Sequence, residues 1–172
     1  MGARVLVVHD GRSPRVARMA EAVAEGVHRA PGAEAEVKDV SQAGRGNLER
    51  ADAIALGSPN WSGITGLMKQ WMDDLGDLWE EGVLNGKPGA AFTTGRGRSS
   101  GIEFTLLSLI HWMLANGMII VGLPWSDRMR VSGAYYGAAA AGEIAADDLA
   151  LARDLGERLA RVALRLGDAS GQ

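Results

Sequence analysis

Short runs of apolar residues alternate along the chain with longer stretches in which apolar positions recur at helical spacing. The runs are rich in valine, isoleucine, leucine and alanine, a composition that predicts strands buried on both faces of a parallel sheet. They lie at residues 4–9, 53–56, 90–94 and 118–123. A more polar run at 37–40 is typical of an edge strand. The helical periods lie at 16–27, 64–73, 102–116 and 147–166.

This alternation of strands and helices predicts an α/β fold: a doubly wound, five-stranded parallel sheet in the order 2-1-3-4-5, with helices on both faces. With 172 residues, the chain is long enough for one domain with a substantial core and too short for two. We therefore expect a single domain over residues 1–166 and a frayed tail over residues 167–172. Residues 125–142 show no clear period and are predicted to form a long functional loop.

In such a sheet, the loops at the carboxyl ends of strands one, three and four converge on one crevice. The first loop, residues 10–15, leads into a helix N-terminus, where unpaired N–H groups and the helix dipole attract an anion. Gly11 allows close backbone approach, Ser13 offers a hydroxyl, and Arg12 and Arg15 supply positive charge. The same groups would be present if Ser13 simply capped the helix, so both interpretations stay open.

The second loop, residues 59–63, places Asn60 and Trp61 where a flat, polar ring system could bind. Its alternative is that Trp61 is an aromatic residue of the core or of an interface. The third loop, residues 93–101, combines threonine, arginine and serine side chains, which would also suit an ordinary surface loop. The convergence of all three loops at one edge favours a ligand site.

The amino-acid composition of the chain excludes several classes of function. Apolar residues make up 47% and charged residues 23% of the chain, which is average globular usage. The formal net charge of -3 argues against broad binding to nucleic acid. Because there is no cysteine and the three histidines are scattered, we expect no disulfide, thiolate or metal chemistry. No apolar run is long enough to span a membrane, which predicts a cytoplasmic protein with no membrane partner.

Seven collinear segments point to a known family. They are Gly57-Ser58-Pro59, Met68-Lys69-Gln70-Trp71-Met72-Asp73, Gly86-Lys87-Pro88-Gly89, Phe92-Thr93-Thr94, Thr105-Leu106-Leu107-Ser108-Leu109, Gly117-Met118-Ile119-Ile120-Val121-Gly122-Leu123-Pro124 and Tyr136-Gly137-Ala138. Together they resemble the WrbA-type NAD(P)H:quinone oxidoreductases of the flavodoxin-like superfamily. The resemblance covers most of the chain and is strongest over residues 57–137.

The resemblance implies a flavodoxin-like domain that binds FMN without a covalent bond, takes a hydride from NAD(P)H and reduces a quinone-like acceptor. It also implies a homo-oligomer, a dimer or tetramer, with the tetramer typical of the family. Flavin carries the chemistry, so no residue is assigned as a general acid or base. With the loop interpretations, the residues predicted to bind the cofactor are Gly11, Arg12, Ser13, Arg15, Val16, Pro59, Asn60, Trp61, Ser62, Gly63, Thr93, Thr94, Gly95, Arg96, Gly97 and Gly101. Those predicted to contact substrate are Trp61, Arg98, Ser99, Tyr135 and Tyr136.

The chain departs from the family pattern at each loop. Pro14 stands where the family has glycine, and Gly11 where it has a hydroxyl, which predicts a weaker or exchangeable FMN. The second loop is one residue shorter, and Ser99 replaces a histidine of the bacterial enzymes. Two other functions stay open: a flavodoxin-like electron carrier, which the modest net charge disfavours, and a scaffold that has lost the cofactor.

Overall fold

The computed structural model describes residues 2–169 and forms one α/β unit. Its strands are β1 (Ala3–His9), β2 (Ala33–Asp39), β3 (Ala53–Pro59), β4 (Pro88–Gly95), β5 (Ile119–Ile120) and β6 (Ala138–Ala141). Its helices are α1 (Pro14–Val27), α2 (Arg45–Arg50), α3 (Gly66–Asp73), α4 (Asp77–Glu80), α5 (Ile102–Ala115), α6 (Met129–Ser132) and α7 (Ala146–Ala169).

The strands form one sheet in which every pair is parallel. The sheet runs β2-β1-β3-β4-β5, which confirms the order predicted from the alternation of elements. The central strand β1 lies between β2 and β3, and its residues Val5–Val8 are almost completely buried. The edge strand β2 is more exposed, as its polar sequence predicts.

The other edge of the sheet departs from the sequence-based prediction. Only Ile119 and Ile120 of the predicted fifth strand pair with β4, at its first two residues. The chain then leaves the sheet, and Pro124 has no N–H with which to continue the ladder. It returns as β6, which pairs with the second half of β4. The predicted loop at 125–142 is therefore wrong over residues 138–141, because four alanines carry no alternation that would reveal a strand. It is also wrong over residues 129–132, which form the short helix α6.

Helices cover both faces of the sheet. One core contains residues of α1 and α7 packed on the sheet, and the other contains residues of α2, α3, α4 and α5. Helices α1 and α7 cross in direct backbone contact, since a Cβ at Gly156 would overlap the carbonyl oxygen of Val23. Helix α7 continues to Ala169, so residues 167–169 of the predicted tail are helical. Residues 170–172 of that predicted tail lie outside the described residues.

Side-chain caps fix where the two helices beside the cleft begin. Ser13 Oγ accepts the N–H of Val16 at 3.4 Å and starts α1, so the predicted capping role is confirmed. Thr65 Oγ1 accepts the N–H of Met68 at 3.1 Å, which starts α3 two residues later than predicted. None of the helices between residues 2 and 169 is long and apolar enough to cross a membrane.

Candidate functional site

The loops that follow β1, β3 and β4 meet at the carboxyl edge of the sheet, as predicted. Backbone hydrogen bonds join them: Asp10 N donates to Gly57 O at 3.0 Å, and Asn60 N donates to Thr94 O at 2.7 Å. An open cleft of 580 Å³ lies between the first and second loops. Its lining residues are Asp10, Arg12, Ser13, Pro14, Arg15, Pro59, Trp61, Thr65 and Gly66.

Asp10 is the centre of the hydrogen bonding in this cleft. It is the first residue after β1 and is completely buried. Its Oδ1 accepts the N–H of Arg12 at 2.9 Å, and its Oδ2 accepts from the Arg12 guanidinium at 3.2 Å and from the Thr65 hydroxyl. Since Thr65 also caps α3, the Asp10 carboxylate joins the first loop to the start of that helix.

Asp10 is held ionised by these partners. Burial alone would raise the pKa of this carboxyl, but the hydrogen bonds from Arg12 and Thr65 outweigh burial and hold its pKa below the ordinary value of 3.8. A depressed pKa in the folded state stabilises the fold above pH 3.8, and this contribution is lost as the pH falls through the lower, folded value.

We expect Asp10→Asn to be less stable than the unsubstituted protein at neutral pH and to approach it as the pH falls below 3.8, because the asparagine amide of the variant cannot titrate. Urea unfolding at a series of pH values from neutral to acid measures the difference in free energy of unfolding. A difference between the two proteins that stays constant over this range would contradict an ionised, stabilising Asp10.

The arginines of the first loop are both engaged within the protein. Arg12 pairs with Asp10, and Arg15 donates from Nη2 to the carbonyls of Gly95, at 3.3 Å, and of Gly142. In the first turn of α1, Pro14 has no N–H and the N–H of Val16 is used by the Ser13 cap. The N–H of Arg15 and the Ser13 hydroxyl are therefore the neutral donors that this turn can offer an anion.

The second loop turns Trp61 out of the protein. Trp61 N donates to Gly63 O at 2.8 Å, and the turn closes with positive φ angles of 58° at Ser62 and 111° at Gly63. Glycine adopts such a φ without strain. The side chain of Trp61 is 77% exposed on the wall of the cleft, so the alternative that it belongs to the core is wrong.

Asn60 connects the second loop to the third. Its amide nitrogen donates to Ser100 O at 2.9 Å, and its Oδ1 accepts from Thr105 Oγ1 at 2.8 Å and from Gly63 N at 3.3 Å. The amide is therefore largely satisfied by the protein. In this geometry Asn60 positions the loops rather than presenting a free polar edge to a ligand.

The predicted site residues divide between the cleft and its surroundings. Those that line the cleft are Arg12, Ser13, Arg15, Pro59 and Trp61. The structure places the other predicted cofactor residues in the loops and strand ends around it: Gly11, Val16, Asn60, Ser62, Gly63, Thr93, Thr94, Gly95, Arg96, Gly97 and Gly101. Among them, Val16 is a core residue, and Thr93 donates its hydroxyl to Ser58 O inside the sheet.

The predicted substrate residues lie farther along the sheet edge, except for Trp61. Arg98 donates to Val131 O at 2.8 Å and lines a separate cavity of 290 Å³, and Ser99 is exposed in the third loop. Tyr135 and Tyr136 pack on each other with ring centroids 4.5 Å apart. The bond from Arg98 ties the third loop to the segment that carries these tyrosines.

Two polar side chains of the cleft, Asp10 and Thr65, were not among the residues predicted from the sequence. Asp10 directly follows the buried run at 4–9, and a carboxylate at the carboxyl end of a central strand is a signal that could have found it. Thr65 was recognisable only as a helix cap. The tight neighbour of Gly11 is Asp39, whose Cβ would lie 2.9 Å from a Cβ at position 11. This packing is a structural reason for a glycine at position 11 that does not depend on any ligand.

Comparison with known proteins matches the sequence to a family model and to named relatives. A model of the family described as NADPH-dependent FMN reductase matches residues 6–127. A protein of Archaeoglobus fulgidus named NAD(P)H dehydrogenase (quinone) is 38% identical, in an alignment that covers 95% of this chain and 99% of that protein. A flavodoxin of Aquifex aeolicus is 36% identical over 160 aligned residues, covering 91% of this chain and 85% of that protein.

A solved structure agrees with the sequence matches. The flavodoxin, WrbA-like protein of Agrobacterium tumefaciens superimposes with a TM-score of 0.75 at 28% identity, covering 96% of this chain and 99% of that chain. This similarity confirms the flavodoxin-like fold and the resemblance drawn from the sequence motifs. The family model spans well over half of the chain, including most of β1, all of β2, β3 and β4, and the loops of the cleft. The chain therefore belongs to the NADPH-dependent FMN reductase family.

Proposed function

We propose that this protein is an FMN-dependent oxidoreductase that transfers a hydride from NAD(P)H, via flavin, to a quinone-like acceptor. The observation that carries the proposal is the exposed indole of Trp61 on the wall of a cleft at the carboxyl edge of a parallel sheet. Membership of the NADPH-dependent FMN reductase family and a relative named NAD(P)H dehydrogenase (quinone) support it.

The groups around the cleft fit FMN. For the phosphate, the first loop offers the Ser13 hydroxyl, the N–H of Arg15 and the side chain of Arg12. For the ring, Pro59 and Trp61 offer flat apolar surface. When bound, FMN supplies the ring that accepts and releases a hydride, so the chain needs no general acid or base of its own.

The chain's own residues would bind and orient the flavin and its substrates. Trp61 forms part of the cleft wall, and Asn60 joins the second loop to the third by hydrogen bonds. We assign the exposed part of the third loop, with Arg96, Arg98 and Ser99, to the nicotinamide cofactor and the acceptor, since guanidinium groups bind phosphates well. Tyr135 and Tyr136 would close the acceptor side.

Steady-state kinetics test the proposal. The FMN-loaded protein is mixed with NADH or NADPH and a soluble quinone, and loss of nicotinamide absorbance is followed. Turnover at about 1 s⁻¹ or faster supports the oxidoreductase. The Aquifex aeolicus relative named flavodoxin favours a second candidate, a carrier of single electrons to a partner protein. Flavin binding without quinone-dependent turnover would point to the carrier, and a protein that binds no flavin would point to a scaffold.

We also propose a homo-oligomer, a dimer or tetramer. The outer side of α5 exposes Phe104, Leu107 and Leu114, and Trp79 of α4 is exposed as well. Burying large apolar side chains against a second copy would remove them from water. We expect light scattering on the purified protein to give at least twice the monomer mass, and Phe104→Glu to lower that mass. A monomer at every concentration would contradict the proposal. A cytoplasmic location remains a prediction of the sequence.

A further inference from the structure

We infer that the 5′-phosphate of a flavin adds little to the affinity of this site, because the buried Asp10 carboxylate already pairs with the Arg12 guanidinium of the first loop. The site would then accept riboflavin and FMN with affinities that differ by less than about tenfold. This inference rests on the proposed function, since it assumes that a flavin binds in the cleft.

The first step is the pairing of Arg12. Its guanidinium reaches Asp10 through Nε at 3.4 Å and Nη2 at 3.2 Å, and its backbone N–H donates to the same carboxylate at 2.9 Å. Asp10 is completely buried, whereas the Arg12 side chain is 63% exposed. The pair carries no net charge. A phosphate approaching Arg12 therefore meets a cation that is already compensated from within the fold.

The second step is that the other hydrogen-bond donors of the first loop are also largely engaged within the protein. Arg15, the remaining cation, directs Nη2 to the carbonyls of Gly95, the last residue of β4, and of Gly142, which follows β6. Pro14 removes one N–H from the first turn of α1, and the Ser13 cap uses another. Apart from Arg12, whose charge Asp10 already offsets, the donors left for a phosphate are therefore few and neutral. Bonds from neutral donors are about half as strong as charge-assisted ones.

The third step is the charge balance of the cleft. Asp10 lines the same cleft as Ser13 and Arg15, so a phosphate held there would lie near a second anion. One Arg12 guanidinium cannot offset both the Asp10 carboxylate and a phosphate. The hydrogen bonds from Arg12 and Thr65 hold the pKa of Asp10 below its ordinary value, so Asp10 is ionised and still pairs with Arg12 at neutral pH. The ring and ribityl chain, which riboflavin shares with FMN, are not affected by this charge.

The test compares two flavins that differ only in the phosphate. Flavin-free protein is titrated into FMN and into riboflavin, and quenching of flavin fluorescence gives each dissociation constant. We expect the two constants to lie within about tenfold for the unsubstituted protein. In Asp10→Asn, which keeps the size and an acceptor oxygen, FMN should bind about five- to tenfold more tightly and riboflavin unchanged, because Arg12 is released for the phosphate.

Two further variants locate the effect. Asp52→Asn also removes one negative charge but lies at the amino end of the sheet, where Asp52 accepts the N–H of Arg4; it should change neither constant. Adding Arg12→Ala to Asp10→Asn should abolish the gain in FMN affinity. Circular dichroism of each variant establishes that it is folded. If Asp10→Asn does not fold, the ratio of the FMN and riboflavin dissociation constants of the unsubstituted protein tests the inference by itself.

The outcomes separate this inference from the proposed function. Tenfold or stronger preference of the unsubstituted protein for FMN over riboflavin would overturn the inference and leave the oxidoreductase intact. An equal change in both constants on Asp10→Asn would also overturn it, because the effect would then not involve the phosphate. Failure to bind either flavin would overturn the proposed function itself.

Discussion

Gly156→Ala is expected to destabilise the fold by about 3 kcal/mol, because the added methyl group would overlap the backbone of α1. The added Cβ would overlap the carbonyl oxygen of Val23 and lie 2.8 Å from its carbonyl carbon and 3.1 Å from Val27 N. These are backbone atoms of α1, so no side-chain rotation can relieve the overlap. Helices α1 and α7 would have to move apart and weaken the core that they share.

Gly167→Ala is the matched control for this prediction. It makes the same substitution in α7, but a Cβ at position 167 has no neighbouring atom within 4 Å. Alanine favours a helix over glycine, so this variant should be as stable as the unsubstituted protein or up to about 1 kcal/mol more stable. Urea unfolding measures both free energies. Equal stability of the two variants would mean that the helix crossing is looser than the structure describes.

Trp61→Ala is expected to weaken FMN binding by about tenfold or more and to change the visible absorption of the bound flavin. Stacking of an aromatic side chain on a heterocyclic base contributes about 1–3 kcal/mol, and Trp61 is the tryptophan that lines the cleft. Because its side chain is 77% exposed, its loss should leave the free energy of unfolding unchanged within about 0.5 kcal/mol. Fluorescence titration and absorption spectra measure the binding.

Trp79→Ala provides the control for Trp61. Trp79 is 63% exposed in α4 and lies outside the cleft, so its removal should change neither the affinity nor the spectrum. If Trp61→Ala binds FMN as the unsubstituted protein does, Trp61 is not a ring contact, and an interface role would be the better interpretation.

The strands at the centre of the sheet show how far the sequence alone reaches. The run at 4–9 is dense in β-branched residues and is followed by a capped helical period, so β1 and α1 were predictable from local pattern. The edge at β5 and β6 was not. Two isoleucines and four alanines pair with opposite ends of β4, and only the completed sheet makes these short segments strands.

The site, like the sheet, has a part that was predictable from the sequence and a part that was not. Turn residues at 57–63 and the polar loop at 93–101 marked where a ligand site would lie, because parallel strands end at a common edge. The sequence did not reveal that Asn60 would be consumed in holding two loops together, or that Arg98 would bind a carbonyl of the returning segment. Each depends on a partner more than 30 residues away, beyond the reach of any local pattern.

By itself the sequence determined the class of fold, the strand order, the family and the place of the second loop at the sheet edge, because periodicity, turn residues and motifs act over a few neighbouring residues. Only the tertiary structure decided which charges face one another. In the sequence Asp10 is only the first residue of a loop, and the fold buries it as an ion because Arg12 and the cap of α3 hydrogen-bond its carboxylate. The whole fold decides how deeply a charged side chain is buried and which partner it meets. Burial sets the free-energy cost of the charge, and the partner offsets that cost.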